Sequence, residues 1–383
     1  MPVTRRRTRL SLHLFVSASL PLAASLPLDE PRDLAPLIAP LLEKAQIPAL
    51  GGAIVTSAGL EAIGEVGLRS ADATERVTKD DRWHLGSCTK AITATLAARL
   101  VEKGEIGWDT TIAQVFGETT TPKRDPAWDS VTLLSLLCHR SGASKNFDQD
   151  LWERMVARGG AFCVQRSFFA REGLALAPER RPNTETVYSN AGFMIAGAML
   201  EKVGDAPFED LVRKEVFEPL GMTESGFGAP GTPGRLDQPL GHTRGEKGWT
   251  PIPLGPSADI PGAAGPAGTI HATLADWARF ALAHLRGARG DESFLKEGTW
   301  ATLHSPFAGG HYAQGWVVSR EDWAGGKRLS HLGSNEFWVC EISLAPEKDF
   351  AVLLVTNLGD DAAEKPFQEL LNALIADHAA HLK

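Results

Sequence analysis

Trp83-His84-Leu85-Gly86-Ser87-Cys88-Thr89-Lys90 runs into Ala91-Ile92-Thr93-Ala94-Thr95-Leu96, whose apolar period predicts a helix over 91–103. A serine at the start of that helix and a lysine three residues on share one face, so hydroxyl and amine can touch. The serine also sits at the positive end of the helix dipole, where backbone N–H groups lack partners. A lysine partly buried beside it loses proton affinity and becomes able to act as a general base. Ser293-Phe294-Leu295-Lys296 repeats the SxxK form and reads as a surface helix end. Taken alone, therefore, Ser87 reads as a helix N-cap beside a solvated lysine.

Two further stretches change that weighing. Tyr188-Ser189-Asn190 contains one of only two tyrosines in the chain and precedes a helical pattern over 190–203. A phenol beside a lysine ammonium can be held as phenolate and take a serine proton. The asparagine amide offers a donor and an acceptor to an acyl substrate. By themselves these residues read as a core tyrosine and a helix cap. His331-Leu332-Gly333-Ser334 lies on a predicted strand, where a glycine lets a ligand backbone approach and strand N–H groups donate. Lys296-Glu297-Gly298 meets the same loose pattern, so the third element is weak in isolation.

Ser87/Lys90, Tyr188/Asn190 and His331/Gly333, in that order, resemble the SxxK, YxN and [KH]xG set of the serine β-lactamase and penicillin-binding-protein superfamily. The YxN form and the wide middle spacing resemble class C β-lactamases and the D,D-carboxypeptidases, D-aminopeptidases and esterases that share their fold. Leu136-Leu137-Cys138-His139-Arg140-Ser141-Gly142, Glu218-Pro219-Leu220-Gly221-Met222 and Leu353-Leu354-Val355-Thr356-Asn357 also resemble stretches of these proteins, so the likeness covers nearly all of the chain after residue 33. No GxSxG is present, which argues against an α/β-hydrolase.

The resemblance implies acyl transfer through a serine ester. Ser87 Oγ attacks a carbonyl, Lys90 and Tyr188 share the base role, and the N–H groups of Ser87 and Ser334 form the oxyanion hole, with Asn190, His331 and Gly333 binding substrate. Which of Lys90 and Tyr188 carries the proton is a coupled titration, open at this level. Two departures bear on substrate. The third motif begins with His331, and its middle residue is Leu332, where relatives acting on carboxylate-bearing substrates carry a hydroxyl. Leucine cannot donate that bond, and an unpaired carboxylate is costly to desolvate. Glu336 repels an anionic substrate if it faces the cleft. The expectation is an esterase- or peptidase-like hydrolase of a small neutral ester, amide or peptide. The alternatives are a β-lactamase or D,D-carboxypeptidase, or a non-catalytic ligand-binding module.

Outward from the motifs, helical spacing marks 33–46, 131–138, 208–217, 273–285 and 361–381, with Thr273 and Asp276 placed as a capping box. Strand-like runs lie at 50–56, 60–68, 314–319, 328–332, 337–344 and 350–357. The fold class is α/β (α+β): an antiparallel sheet built from both chain ends and flanked by helices, with a mainly helical lobe inserted between. We expect an α/β lobe at about 33–88 and 262–383, and a helical lobe at about 89–261. Between 228 and 268, 18 of 41 residues are Gly or Pro, an irregular border of the kind that edges a functional site.

The 383 residues carry a formal charge of −8, and without the first 24, which hold four Arg and no acids, 35 basic residues face 47 acidic ones. That charge lacks the footprint of a nucleic-acid binder. Arg5, Arg6, Arg7 and Arg9 precede an apolar stretch and the small residues Ala23, Ala24 and Ser25, the order of a secretory signal over 1–25. The expectation is a periplasmic or secreted protein with no membrane anchor once the signal is removed. Four cysteines make no disulfide scaffold; Cys88 reads as a buried packing residue held out of any pairing by its place on the nucleophile helix. With no CxxC, HExxH or Cys/His pair at zinc-finger spacing, neither a metal nor a cofactor is expected.

Overall fold

The computed structural model describes residues 30–117, 122–246, 248–307, 309–359 and 361–382; the expected leader over 1–25 lies outside them. Residues 31–383 form one compact unit. Strand β1 (Arg32–Asp33) and helix α1 (Ala35–Ala45) precede the hairpin of β2 (Ala49–Thr56) and β3 (Gly59–Gly67). Strand β4 (Arg82–His84) passes through one 3-10 turn, Gly86–Cys88, into α2 (Thr89–Glu102). Helices α3 (Ile112–Phe116), α4 (Leu133–Leu137), α5 (Gln149–Arg158), α6 (Phe162–Gly173), α7 (Asn190–Gly204), α8 (Phe208–Val212) and α9 (Glu218–Leu220) follow. Next come β5 (Gly226–Phe227), β6 (His242–Gly245), β7 (Gly248–Pro251), α10 (Gly265–Gly268), β8 (Ile270–Thr273), α11 (Leu274–Ala288) and α12 (Glu297–Leu303). The chain closes with β9 (Val317–Glu321), β10 (Gly326–Ser334), β11 (Val339–Ala345), β12 (Phe350–Thr356) and α13 (Glu364–His381).

The main sheet has the order β1-β3-β2-β12-β11-β10-β9, antiparallel except for β1 on β3, so strands from both chain ends meet at β2–β12. Its inner strands are apolar on both faces because both are covered. Leu50, Ile54, Val352 and Leu354 pack under α1 and α13 with Ile38, Phe367, Leu370 and Leu374. Their alternates Ala53, Val55, Leu353 and Val355 join the larger core beneath α2 and α11, with Ile92, Leu96, Trp277 and Phe280. The period-2 alternation of a strand thus feeds two separate cores.

The predicted elements recur with shifted ends. The strand expected at 314–319 starts at Val317, because Ala313 N–H donates to Trp316 O (2.7 Å) and closes a turn first. Thr273 Oγ1 accepts from Asp276 N (3.1 Å), but the Asp276 carboxylate turns to Glu224 N and Ser225, so only half of the capping box forms. The Gly/Pro-rich stretch includes the hairpin β6–β7, and β5, inside the expected helical lobe, pairs with β8 of the other. Lys296 sits at the N-cap of α12 and Ser293 in the turn before it, so this second SxxK never shares a helix.

Candidate active site

The 3-10 turn Gly86–Cys88 and α2 place Ser87 and Lys90 one above the other. Lys90 Nζ lies 3.0 Å from Ser87 Oγ and donates to Ala267 O at 2.7 Å. Tyr188 OH lies 2.8 Å from the same Oγ. The three residues that the sequence singled out across 101 positions therefore converge on one oxygen. Asn190 begins α7 beside them, behind the Ser189 N-cap whose Oγ accepts from Gly192 N (2.9 Å). Its Nδ2 donates to Asn146 Oδ1 (2.9 Å), which leaves its carbonyl oxygen available to a ligand.

Burial decides the protonation states. Lys90 is wholly enclosed, and loss of water pulls its ammonium from the ordinary 10.5 down to about 7, with Lys145 pushing the same way. Tyr188 shows 37% of its surface to the cleft, yet packing against His139 and His331 on its other sides pushes its phenol up to about 12. The Ser87 hydrogen bond opposes that rise without cancelling it. The proton therefore stays on the phenol, and Lys90 is the group able to be neutral near pH 7. The phenolate that the sequence left open is disfavoured because burial penalises whichever form is charged.

Two glycines let strand β10 reach the serine turn. Gly86 has φ +45°, and a Cβ there would lie 2.3 Å from Ser334 N. A Cβ at Gly333 would lie 2.1 Å from Leu85 O and 3.0 Å from Cys88 N. The space that the sequence reading reserved at Gly333 for a ligand backbone is filled by the protein's own Leu85–Cys88 segment. Strand alternation then sends His331 and Gly333 inward and Leu332 and Ser334 to the cleft. The His331 ring is buried: Nε2 pairs with Tyr312 OH (2.9 Å) and Nδ1 with Leu332 O (2.7 Å). Its pKa is driven down to about 3 by burial and by Lys90. Direct substrate binding by the His331 ring is thereby corrected to a place behind Tyr188.

The cleft around Ser87 measures about 1070 Å³. Phe147, Trp152, Val156, Ile260, Pro261 and Leu332 make much of its wall apolar, and Leu332 is 59% exposed. Lys145, Asn146 and Glu336 also line it. Ala267, Lys90's second acceptor, sits in a segment pinned by Thr93 Oγ1 to Pro266 O (2.8 Å) and by the buried Arg166 to Ala263 O (2.8 Å).

Sequence reasoning missed Ala267, Asn146, Lys145 and Tyr312. A backbone carbonyl has no sequence signature, and Lys145 and Asn146 occupy a loop whose direction no periodicity reveals. Tyr312 had a signal, as the chain's other tyrosine. Cys88 is buried and unpaired, as expected, with its Sγ against His331 O of β10; Cys340 Sγ lies only 3.5 Å away, so the two thiols meet with Cys88 still in its turn.

A family model described as Beta-lactamase matches residues 34–377. Penicillin-binding protein 4 of Amycolatopsis lactamdurans is 29% identical over 314 residues, 79% of this chain and 78% of its own length. An unguisins hydrolase of Aspergillus campestris is 25% identical over 348 residues, 86% of this chain and 62% of its own. Among solved structures, D-amino acid amidase from Ochrobactrum anthropi is similar in fold, with a TM-score of 0.70 and 20% identity over 89% of this chain and 98% of that one.

Proposed function

The chain belongs to the β-lactamase family of serine hydrolases, and on that premise we propose that it cleaves a neutral ester or amide through an acyl-enzyme on Ser87. The observation that carries this reading is the convergence of Lys90 Nζ (3.0 Å) and Tyr188 OH (2.8 Å) on Ser87 Oγ at the foot of the cleft. Neutral Lys90 accepts the Ser87 proton as Oγ bonds to the substrate carbonyl carbon. The N–H groups of Ser87 and Ser334 receive the oxyanion, each such donor being worth about 2.7–4 kcal/mol. The tetrahedral intermediate collapses, the proton passes from Lys90 to the leaving oxygen or nitrogen, and Tyr188 guides that transfer by donating to Oγ. Lys90 next deprotonates a water that attacks the acyl carbon, and as the C–Oγ bond breaks it returns that proton to Ser87 Oγ, releasing the acid and restoring neutral Lys90. The Asn190 carbonyl oxygen orients an amide N–H of the substrate.

Leu332 and Glu336 on the cleft wall support a neutral substrate, since neither offers a partner to a carboxylate. Lys145, on the same wall, favours the second reading, a β-lactamase or D,D-carboxypeptidase whose substrate carboxylate meets its ammonium. The test compares kcat/KM for a p-nitrophenyl ester and a chromogenic cephalosporin, with Ser87→Ala as blank. Faster ester turnover that dies with Ser87→Ala supports the first reading. Faster cephalosporin turnover that falls with Lys145→Ala supports the second. Equal behaviour of Ser87→Ala and wild type in every assay supports a binding module. The Arg-rich, apolar start of the chain supports an exported enzyme, which fractionation of expressing cells tests.

A further inference from the structure

One chain of hydrogen bonds joins three segments that border the cleft. Gly86 N–H, one residue before Ser87, donates to His84 Nδ1 (3.1 Å). That nitrogen therefore carries a lone pair, and the ring proton sits on Nε2, which meets Asp259 Oδ2 at 2.9 Å. Asp259 Oδ1 accepts from Asn335 Nδ2 (3.1 Å) and from Ile260 N (2.7 Å). Asn335 Nδ2 also reaches Ala258 O (3.3 Å), and its Oδ1 accepts from Phe337 N and Trp338 N, both at 3.2 Å. His84 and Asn335 are buried, and the His84 ring stacks on Trp338 at 5.8 Å and 27°.

Each end of this chain holds one backbone turn. At one end is the Gly86–Cys88 turn, with Gly86 in left-handed geometry. At the other is the turn after β10, where Glu336 takes φ +78°, a costly conformation for a side-chain residue, and Ser334 Oγ accepts from Glu336 N (2.9 Å). We infer that His84, Asp259 and Asn335 are positioning residues that set the spacing between the Ser87 and Ser334 N–H groups. The inference rests on the acyl-enzyme reading above. The relay tolerates one arrangement of donors and acceptors: His84 accepts from Gly86 only while it donates to Asp259. Oxyanion donors act through preorganisation, so a small change in their separation weakens the transition state more than substrate binding.

Asp259→Asn tests this with little change in volume. Its new amide N–H groups face His84 Nε2–H, or, if the amide turns over, Asn335 Nδ2. Moving the imidazole proton to Nδ1 instead sets two donors against each other at Gly86. Both half-reactions build charge on the same oxygen, so kcat for a p-nitrophenyl ester should fall about 10- to 100-fold, short of or level with outright loss of one donor, while KM stays within about threefold. Affinity for an aryl boronic acid, which forms a tetrahedral adduct with Ser87 Oγ, should fall in parallel with kcat. His84→Asn is the second variant, since it keeps an acceptor for Gly86 N–H but severs Asp259; the same split is expected.

Wild-type kcat and boronate affinity in either folded variant overturn the relay. So does an activity loss that matches the unfolded fraction seen by circular dichroism, with boronate affinity per folded molecule unchanged. If wild type and Ser87→Ala alike neither turn over ester nor take boronate, the acyl-enzyme reading itself fails and the relay falls with it.

Discussion

The pH dependence of kcat/KM separates Lys90 from every other candidate base. Burial holds the Lys90 ammonium down to about 7 and the Tyr188 phenol up to about 12. The neighbouring histidines do not titrate in between: His331 is lowered to about 3 and His139 well below 6.5, both chiefly by burial. The active form needs a neutral amine, so activity should rise with pH through a single ionisation near 7. About a tenth of the plateau remains at pH 6 and about a hundredth at pH 5, and the plateau holds from about pH 8 to pH 10. The assay is kcat/KM for an uncharged p-nitrophenyl ester, which reports the free enzyme. Tyr188→Phe should lower the plateau about 10- to 100-fold yet keep the limb near 7, because the phenol donates but does not take the proton. Lys145→Gln removes a like charge and should move the limb upward. A rate still climbing tenfold per unit between pH 8 and pH 10, or a limb lost in Tyr188→Phe, refutes the assignment of the base to Lys90.

Three other outcomes are expected. Gly333→Ala places a methyl 2.1 Å from Leu85 O, so β10 must retreat from the serine turn; a destabilisation of about 1–3 kcal/mol by urea unfolding and near-complete loss of ester hydrolysis should follow. Glu65, which accepts from Trp83 Nε1 (2.9 Å), is pushed by burial from the ordinary 4.5 to about 8. The folded state therefore holds more protons than the unfolded state between those values, and its stability falls as pH rises through that window. Glu65→Gln keeps an acceptor for the indole and removes that penalty, so its Tm advantage over wild type should be small at pH 4 and larger at pH 9. Finally, Cys88, Cys138 and Cys340 are buried and Cys163 is half-buried. A maleimide should add once to the native chain, at Cys163, and four times after unfolding, as mass spectrometry reads.

Much of the fold was legible because its elements carry their own periodicities. The alternation in β12 and the helical stripe of α13 are local properties of the chain, and so is the i, i+3 relation of Ser87 and Lys90. Element ends were less legible, since they depend on partners: β9 begins late because of a turn closed by Ala313 and Trp316. Ser87, Lys90, Tyr188 and Asn190 were legible as motifs, whereas Lys145, Asn146, Ala267 and Tyr312 were not, and no side chain's orientation was. Whether a strand residue faces the cleft or the core depends on register, and one step of register exchanges His331 for Leu332.

By itself, then, the sequence determined which elements form and which short motifs carry reactive groups, because both follow from spacing within a few bonds of backbone. Only tertiary structure decided the chemistry of those groups. It enclosed Lys90, left Tyr188 protonated and turned His331 away from the cleft. It also filled the space at Gly333 with Leu85 and linked Gly86 to Asn335 through His84 and Asp259. Each of those outcomes rests on desolvation or on contact between segments far apart in the chain, and a linear pattern encodes neither.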